Sequence, residues 1–266
     1  MATPTPDAAG RGQVDDIAVA RTLESALGKR DCNIIDLTPS AWLAGLLQTS
    51  DSFYPTGAYA HSFGLEGLVQ DGIVTDRTTL RHFLLEEVLP QLARTDLPVA
   101  ARAWTAAGEP TDWEGLKEAC FLGSAVRGAR EPRDASEGIG RQRLELAGRL
   151  HGGLAVAFNR RAAAEGWPQP ACVAAAIEGR MLGAPAAAVL AALVYSASAN
   201  LAAAAVKLLR LGQNAVQELL AEGVAGAPAL IAAALALETA DIGAFNPWWD
   251  IAAAHHETAD GRLFIS

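Results

Sequence analysis

The chain has 266 residues, of which 51% are hydrophobic and 19% charged, a balance that excludes wholesale disorder. Its 21 Lys+Arg against 30 Asp+Glu give a formal net charge of -9, the wrong sign for a surface that tracks phosphates, so nucleic acid is not an expected partner. Cys32, Cys120 and Cys172 lie far apart, with no CxxC pair and an odd count, which argues against a disulfide framework and for a reducing compartment.

Residues 1–37 mix Pro, Gly, Asp and Arg around one weakly helical patch, Asp16 to Leu27, and are expected to form a mobile tail. No apolar run follows a basic start there, so no export signal is expected and the cytoplasm is the expected location. Order is expected from residue 38, where Thr38-Pro39-Ser40 reads as a helix start and Trp42, Leu43, Leu46 and Leu47 recur at helical spacing. A loop with embedded aromatics follows from Thr49 to Gly57, then helical signal from Ser62 to Gln70. Asp76 is placed to cap a helix from Thr78 to about Leu92 whose Leu80, Phe83, Leu84 and Val88 fall on one stripe.

Further helices are predicted over Asp96 to Ala107, Asp112 to Gly128, Ala135 to Ala164, Pro168 to Leu182 and Pro185 to Leu211. Two more fit Gly212 to Glu222 and Pro228 to Ile242. No sustained alternation of β-branched residues calls for strands. Residues 38–266 therefore read as one all-α domain, a helical bundle. No charge interrupts the chain between Arg180 and Lys207, long enough for a membrane span. Its alanine content, together with Tyr195, Ser196, Ser198 and Asn200, favours a central helix buried on all sides by its neighbours.

Several chemistries are missing. There is no GxxxxGK[ST] phosphate loop and no GxGxxG. Ser62 in Ala60-His61-Ser62-Phe63-Gly64 lacks the first glycine of a nucleophile elbow and a sheet to stand on. Asp260 occupies the second histidine position of an HExxH motif beginning at His256. His61, His82, His151, His255 and His256 are too scattered to declare a metal site. No catalytic residue, metal or cofactor is assigned.

Three segments stand out. Pro55 to Glu66 places two glycines, a proline, His61 and a carboxylate at a loop-to-helix junction. It reads first as structural, with Ser62 as cap, Gly57 for a turn and Gly64 for close helix packing, and second as a partner contact through Tyr59, His61, Ser62 and Glu66. In the second segment, Lys207, Arg210 and Asn214 follow i, i+3, i+7 and would share one face of a continued helix. Capping of a helix C-terminus explains such cations, but Gln213 beside Gly212 favours an interface patch. The third segment is the closing stretch from Ile251 to Ser266, which combines His255, His256, Glu257 and Arg262 with Leu263 and Phe264. Such a tail either docks on its own domain or folds onto a partner, and the partner is preferred. A rival reading is a small all-α enzyme or metal- or ligand-binding protein using His61, Glu66, His255 and His256.

Together these segments resemble the UreF family of urease accessory proteins, from about Trp42 to Ser266. Pro55, Gly57, Ser62, Gly64, Leu65 and Glu66 are similar to a P-x-G-x-x-x-x-S-x-G-L-E signature, and Asp96-Leu97-Pro98 to a D-L-P step. Ala203 to Gln213 resembles A-A-V-[KR]-L…L-G-Q, and His256-Glu257-Thr258…Arg262-Leu263-Phe264…Ser266 resembles a closing H-E-T…R-L-F tail. Asp260 stands where an aromatic is common and Ile265 where a basic residue is common. The resemblance implies an all-α, non-enzymatic chaperone, usually a homodimer, that binds a UreD/UreH-type protein and recruits the GTPase UreG to apo-urease for nickel insertion. On that basis Lys207, Arg210 and Gln213 are expected to face the GTPase, and the tail from His256 to Ser266 to join the UreD/UreH-type protein.

Overall fold

The computed structural model describes residues 38–58, 61–244, 246, 247, 249, 251, 263 and 264. The tail expected over 1–37, together with Tyr59, His255, His256, Glu257 and Arg262, lies outside the described residues. What is described is all-α, without a strand among the described residues.

The first helix, α1 (Thr38–Ser50), is followed by an irregular loop and the short α2 (Leu65–Gln70). Asp76 then opens a continuous helical run by accepting the Thr79 N–H at 2.9 Å, while the Thr79 hydroxyl receives the Asp76 N–H at 3.1 Å. That reciprocal pair satisfies donors a helix start otherwise leaves bare. The run comprises α3 (Arg77–His82), a π-helical stretch Phe83–Val88 and α4 (Leu89–Arg94). Leu89 donates to the Leu84 carbonyl, an i→i+5 bond, just before Pro90, which has no N–H to continue the α-register.

Next come α5 (Asp96–Ala106), α6 (Trp113–Ala125), α7 (Arg130–His151) and α8 (Gly153–Glu165). The single helix expected over Ala135 to Ala164 is thus two. Gly152 (φ 66°) and Gly153 (φ 51°) both take left-handed backbone, which breaks the helix and turns the chain. Asn159 Nδ2 then reaches back to donate to the Leu144 carbonyl at 3.0 Å.

A central buried helix is present, and it is α9 (Ala171–Met181), in which every residue from Cys172 to Gly179 is buried. It packs on α5, α6, α7 and α8, and on α10 (Ala186–Leu208). Small side chains make this crowding feasible. A Cβ on Gly140 of α7 would lie 1.8 Å from the Gln169 carbonyl oxygen, just ahead of α9. The long helix α10, charged only at Lys207 near its end, departs from the expectation. It buries Val189, Leu190, Val194, Leu201, Ala204 and Ala205 on one side, while Tyr195 and Val206 are exposed on the other. By length and composition alone it could cross a membrane, as could the stretch Gln213–Ala236.

After α10 the chain turns a corner. Leu209 (φ -115°, ψ 146°) and Gly212 (φ -70°, ψ 148°) are extended, and α11 (Gln213–Ala225) and α12 (Ala227–Ala236) follow. The predicted last helix ends six residues early. Beyond it, Thr239–Asp241 forms one 3₁₀ turn.

Candidate functional site: where three motifs meet

The three segments singled out in the sequence converge. Glu66, second residue of α2, is buried, and its carboxylate accepts the backbone N–H of Leu263 at 2.8 Å and of Phe264 at 3.0 Å. Two successive amides converging on one carboxylate form charge-assisted bonds, among the stronger kind in proteins. The Phe264 ring is 5% exposed and joins the main core, and the Lys207 ammonium sits 5.0 Å from its centroid. That distance is within cation–π range. The closing tail, through Phe264, therefore meets one residue from each of the other two motifs.

The loop ahead of α2 is built for this junction. Ser62 is fully buried and its hydroxyl accepts the Glu66 N–H at 3.4 Å, but the N-cap position of α2 is Gly64, so Ser62 is not the cap residue expected. Gly64 takes φ 75°, and a Cβ there would lie 2.7 Å from Trp249 Nε1, so its close packing is against the indole of a helical residue. Trp249 in turn meets the Phe83 ring edge-on at 5.7 Å between centroids.

The geometry changes where several of the expected contact residues sit. Ser62 and Glu66, expected at a partner surface, are interior in this conformation. Lys207, Arg210 and Asn214 do not share a helical face, because α10 ends at Leu208 and α11 begins at Gln213. The extended residues between them break the i, i+3, i+7 geometry; Lys207, Arg210 and Gln213 are nonetheless exposed around one corner. Of the two readings of the tail, docking on its own domain describes Phe264, while Leu263 stays exposed. For the rival metal-binding reading, no group of three His, Cys, Asp or Glu suited to a metal occurs among the described residues.

Beside the junction lies a cavity of about 230 Å³, bounded by Tyr54, His61, Asp96, Arg127, Cys172 and Trp249 among others. Its walls carry two shielded polar ties that the sequence did not announce. Glu178, on the central helix and without solvent exposure, receives the Tyr54 hydroxyl on Oε1 and Arg143 Nε on Oε2 at 2.6 Å. Burial first, then the hydrogen bond to Glu178 and that residue's charge, push the Tyr54 phenol above its ordinary value. The second tie joins the Arg127 guanidinium to Asp96, with Arg127 also donating to the Gly123 carbonyl at 2.8 Å. Cys172 lies against this pair, and burial raises its thiol well above the usual range, so it is held neutral. A lone carboxylate in the apolar stretch Ala171 to Gly179 was the available signal for the first tie, since such a group is buried only with partners.

Fold and site thus define an all-α domain whose interior polar groups tie distant segments together around a small cavity. The UreF family model matches residues 74–224. Among curated relatives, the urease accessory protein UreF of Paenarthrobacter aurescens (strain TC1) is 32% identical over 83% of this chain and 96% of its own length. That of Methylibium petroleiphilum is 33% identical over 86% of this chain and 96% of its own. The bifunctional urease accessory protein UreEF of Bordetella bronchiseptica is 34% identical over 86% of this chain and 54% of its own. The chain belongs to the UreF family of urease accessory proteins.

Proposed function

We propose that this protein is a non-enzymatic scaffold of urease maturation. In this reading it works in the cytoplasm as a homodimer, binds a UreD/UreH-type protein, and with it recruits the GTPase UreG to apo-urease for nickel insertion. The observation that carries the reading is the convergence of Glu66, Lys207 and Phe264, because it joins three separated motifs into one surface-adjacent junction. Around it, Arg210 and Gln213 at the exposed corner are the GTPase-facing residues. Leu263, with His256, Glu257 and Arg262 before it in the chain, belongs to the surface for the UreD/UreH-type protein, and Tyr59 and His61 lie on the segment leading to it. The bifunctional UreEF relative supports work alongside other accessory proteins.

The test is co-expression with a urease operon lacking its own UreF gene. Restored urease activity is the expected result. Full complex formation without any gain in activity, or no complex at all, overturns the reading.

A further inference from the structure

Helix α12 is built of alanine, leucine, isoleucine and one proline, without a single polar side chain, yet only Ala227 and Ala234 are buried. It packs on α4, α5 and α10. Two adjacent rows stay in solvent, Pro228, Ala232 and Leu235, and beside them Ala229, Ala233 and Ala236. Each row follows i, i+4, i+7, the spacing of one helix face. Leu235 is 54% exposed. The adjoining α11 turns Asn214, Gln217 and Glu218 outward instead, and Glu218 pairs with Arg77 at 2.7 Å. A helix that is apolar all round is ordinarily covered on all sides.

The charges that follow α12 say what kind of cover fits. Glu238 and Asp241 are exposed, and neither carboxylate takes a hydrogen bond or ion pair among the described residues. The nearby cations are spent on other groups. Arg102 donates to the Leu237 carbonyl at 2.7 Å and to the Thr239 hydroxyl at 3.2 Å. Arg94 donates to the carbonyls of Asp241 and Gly243, both at 3.1 Å. These bonds fix the backbone that carries the two carboxylates. A helix C-terminus is already negative, so acidic groups there work against the fold's own dipole, and a cation supplied from outside would relieve it.

An anionic lipid surface is repelled by such an end. A second copy brings another net charge of -9 and no cation on this face. We therefore propose that the exposed face of α12 docks an amphipathic helix of a different protein. That helix sets large apolar residues, spaced i, i+4, i+7, on the two rows and brings Lys or Arg in its next turn to Glu238 and Asp241. The small alanines let the two axes approach to the near end of the usual separation of about 8–10 Å. None of these residues belongs to the Glu66 junction or to the α10–α11 corner, so the proposal stands apart from the urease reading.

The probe is a labelled helical peptide with leucines at i, i+4, i+7 and lysines in the following turn, titrated with the full chain by fluorescence anisotropy. A counterpart carries glutamates in place of the lysines. The lysine peptide is expected to bind at least tenfold more tightly than its counterpart. Ala233→Glu is expected to weaken it at least tenfold; Leu235→Gln, which nearly conserves volume, replaces that variant if it does not fold. Glu238→Gln combined with Asp241→Asn should shrink the difference between the peptides, whereas Glu145→Gln, an exposed carboxylate on α7, should leave it unchanged. Absent or equal binding of the two peptides overturns the proposal, as does an equal effect of Glu145→Gln, which would mean attraction to net charge alone. Dimerisation in analytical ultracentrifugation that Ala233→Glu abolishes would give the face to a second copy and overturn it. Flotation with phosphatidylcholine vesicles that the same variant abolishes would give it to a membrane and overturn it equally.

Discussion

The Tyr54 hydroxyl donates its hydrogen bond to Glu178, a carboxylate sealed from solvent on the central helix and 124 residues away in the chain. Removing the hydroxyl leaves a buried acceptor short of a donor, while Arg143 still neutralises it. Tyr54→Phe is expected to destabilise the fold by about 1–3 kcal/mol in urea titrations near neutral pH. The phenol is raised above its ordinary value of 10.0 in the folded state. A raised value means that the contribution is complete below pH 10 and is lost as pH climbs above it. The stability gap between wild type and Tyr54→Phe should therefore narrow above pH 10; a gap that widens there contradicts the tie.

Gly140 and Gly138 lie on the same helix and predict opposite outcomes. At Gly140 a methyl group would meet the rigid Gln169 carbonyl, whereas at Gly138 it would find open space within 4 Å. Gly140→Ala is expected to cost at least about 2 kcal/mol through overpacking. Gly138→Ala is expected to add about 0.5–1 kcal/mol through helix propensity. Thermal melts of the pair check both signs at once.

The Arg127–Asp96 pair is largely shielded, with side chains 19% and 15% exposed. Asp96→Asn leaves the guanidinium beside Cys172 without its counter-charge. A loss of about 2–4 kcal/mol is expected, somewhat below that for a fully buried pair because water still reaches the edge. A double-mutant cycle with Arg127→Met should recover most of the coupling; additive losses would show that the two side chains act independently.

Lys207 and Arg210, three residues apart, should separate folding from function. Lys207 lies over the Phe264 ring, so Lys207→Gln is expected to loosen the tail by about 0.5–1 kcal/mol, read as faster amide exchange at Leu263 and Phe264. Arg210 is exposed on the corner past α10, so Arg210→Ala should leave stability within about 0.5 kcal/mol. Under the proposed function it should nonetheless weaken recovery of the GTPase in a pull-down. Unchanged recovery would remove Arg210 from that surface.

Helical spacing made the all-α fold legible, because apolar stripes such as Leu80, Phe83, Leu84 and Val88 need no long-range information. Element breaks were harder. Gly152-Gly153 reads as two tolerable glycines until both prove to have positive φ, and the corner after Leu208 hides in a stretch that patterns as helix throughout. At the site, the three motifs were visible individually, but their meeting was not, since Glu66 and Phe264 are separated by 198 residues. Asp96 was visible as part of the D-L-P step, but its pairing with Arg127 beside Cys172 was not, because an ion pair between separate helices leaves no spacing in the chain. Burial of α9 in place of α10 follows from the same cause: which apolar helix ends up innermost depends on how its neighbours close around it.

The reversal at Gly152 and Gly153 also offers a practical handle. A Cβ at either glycine would meet nothing within 4 Å, and the turn joins two helices whose packing is set elsewhere along their lengths. A fluorophore or short epitope inserted there would stand off the surface on a fixed hairpin. It would report rotation of the whole domain in an assembly while leaving the Glu66 junction and the α10–α11 corner unmodified.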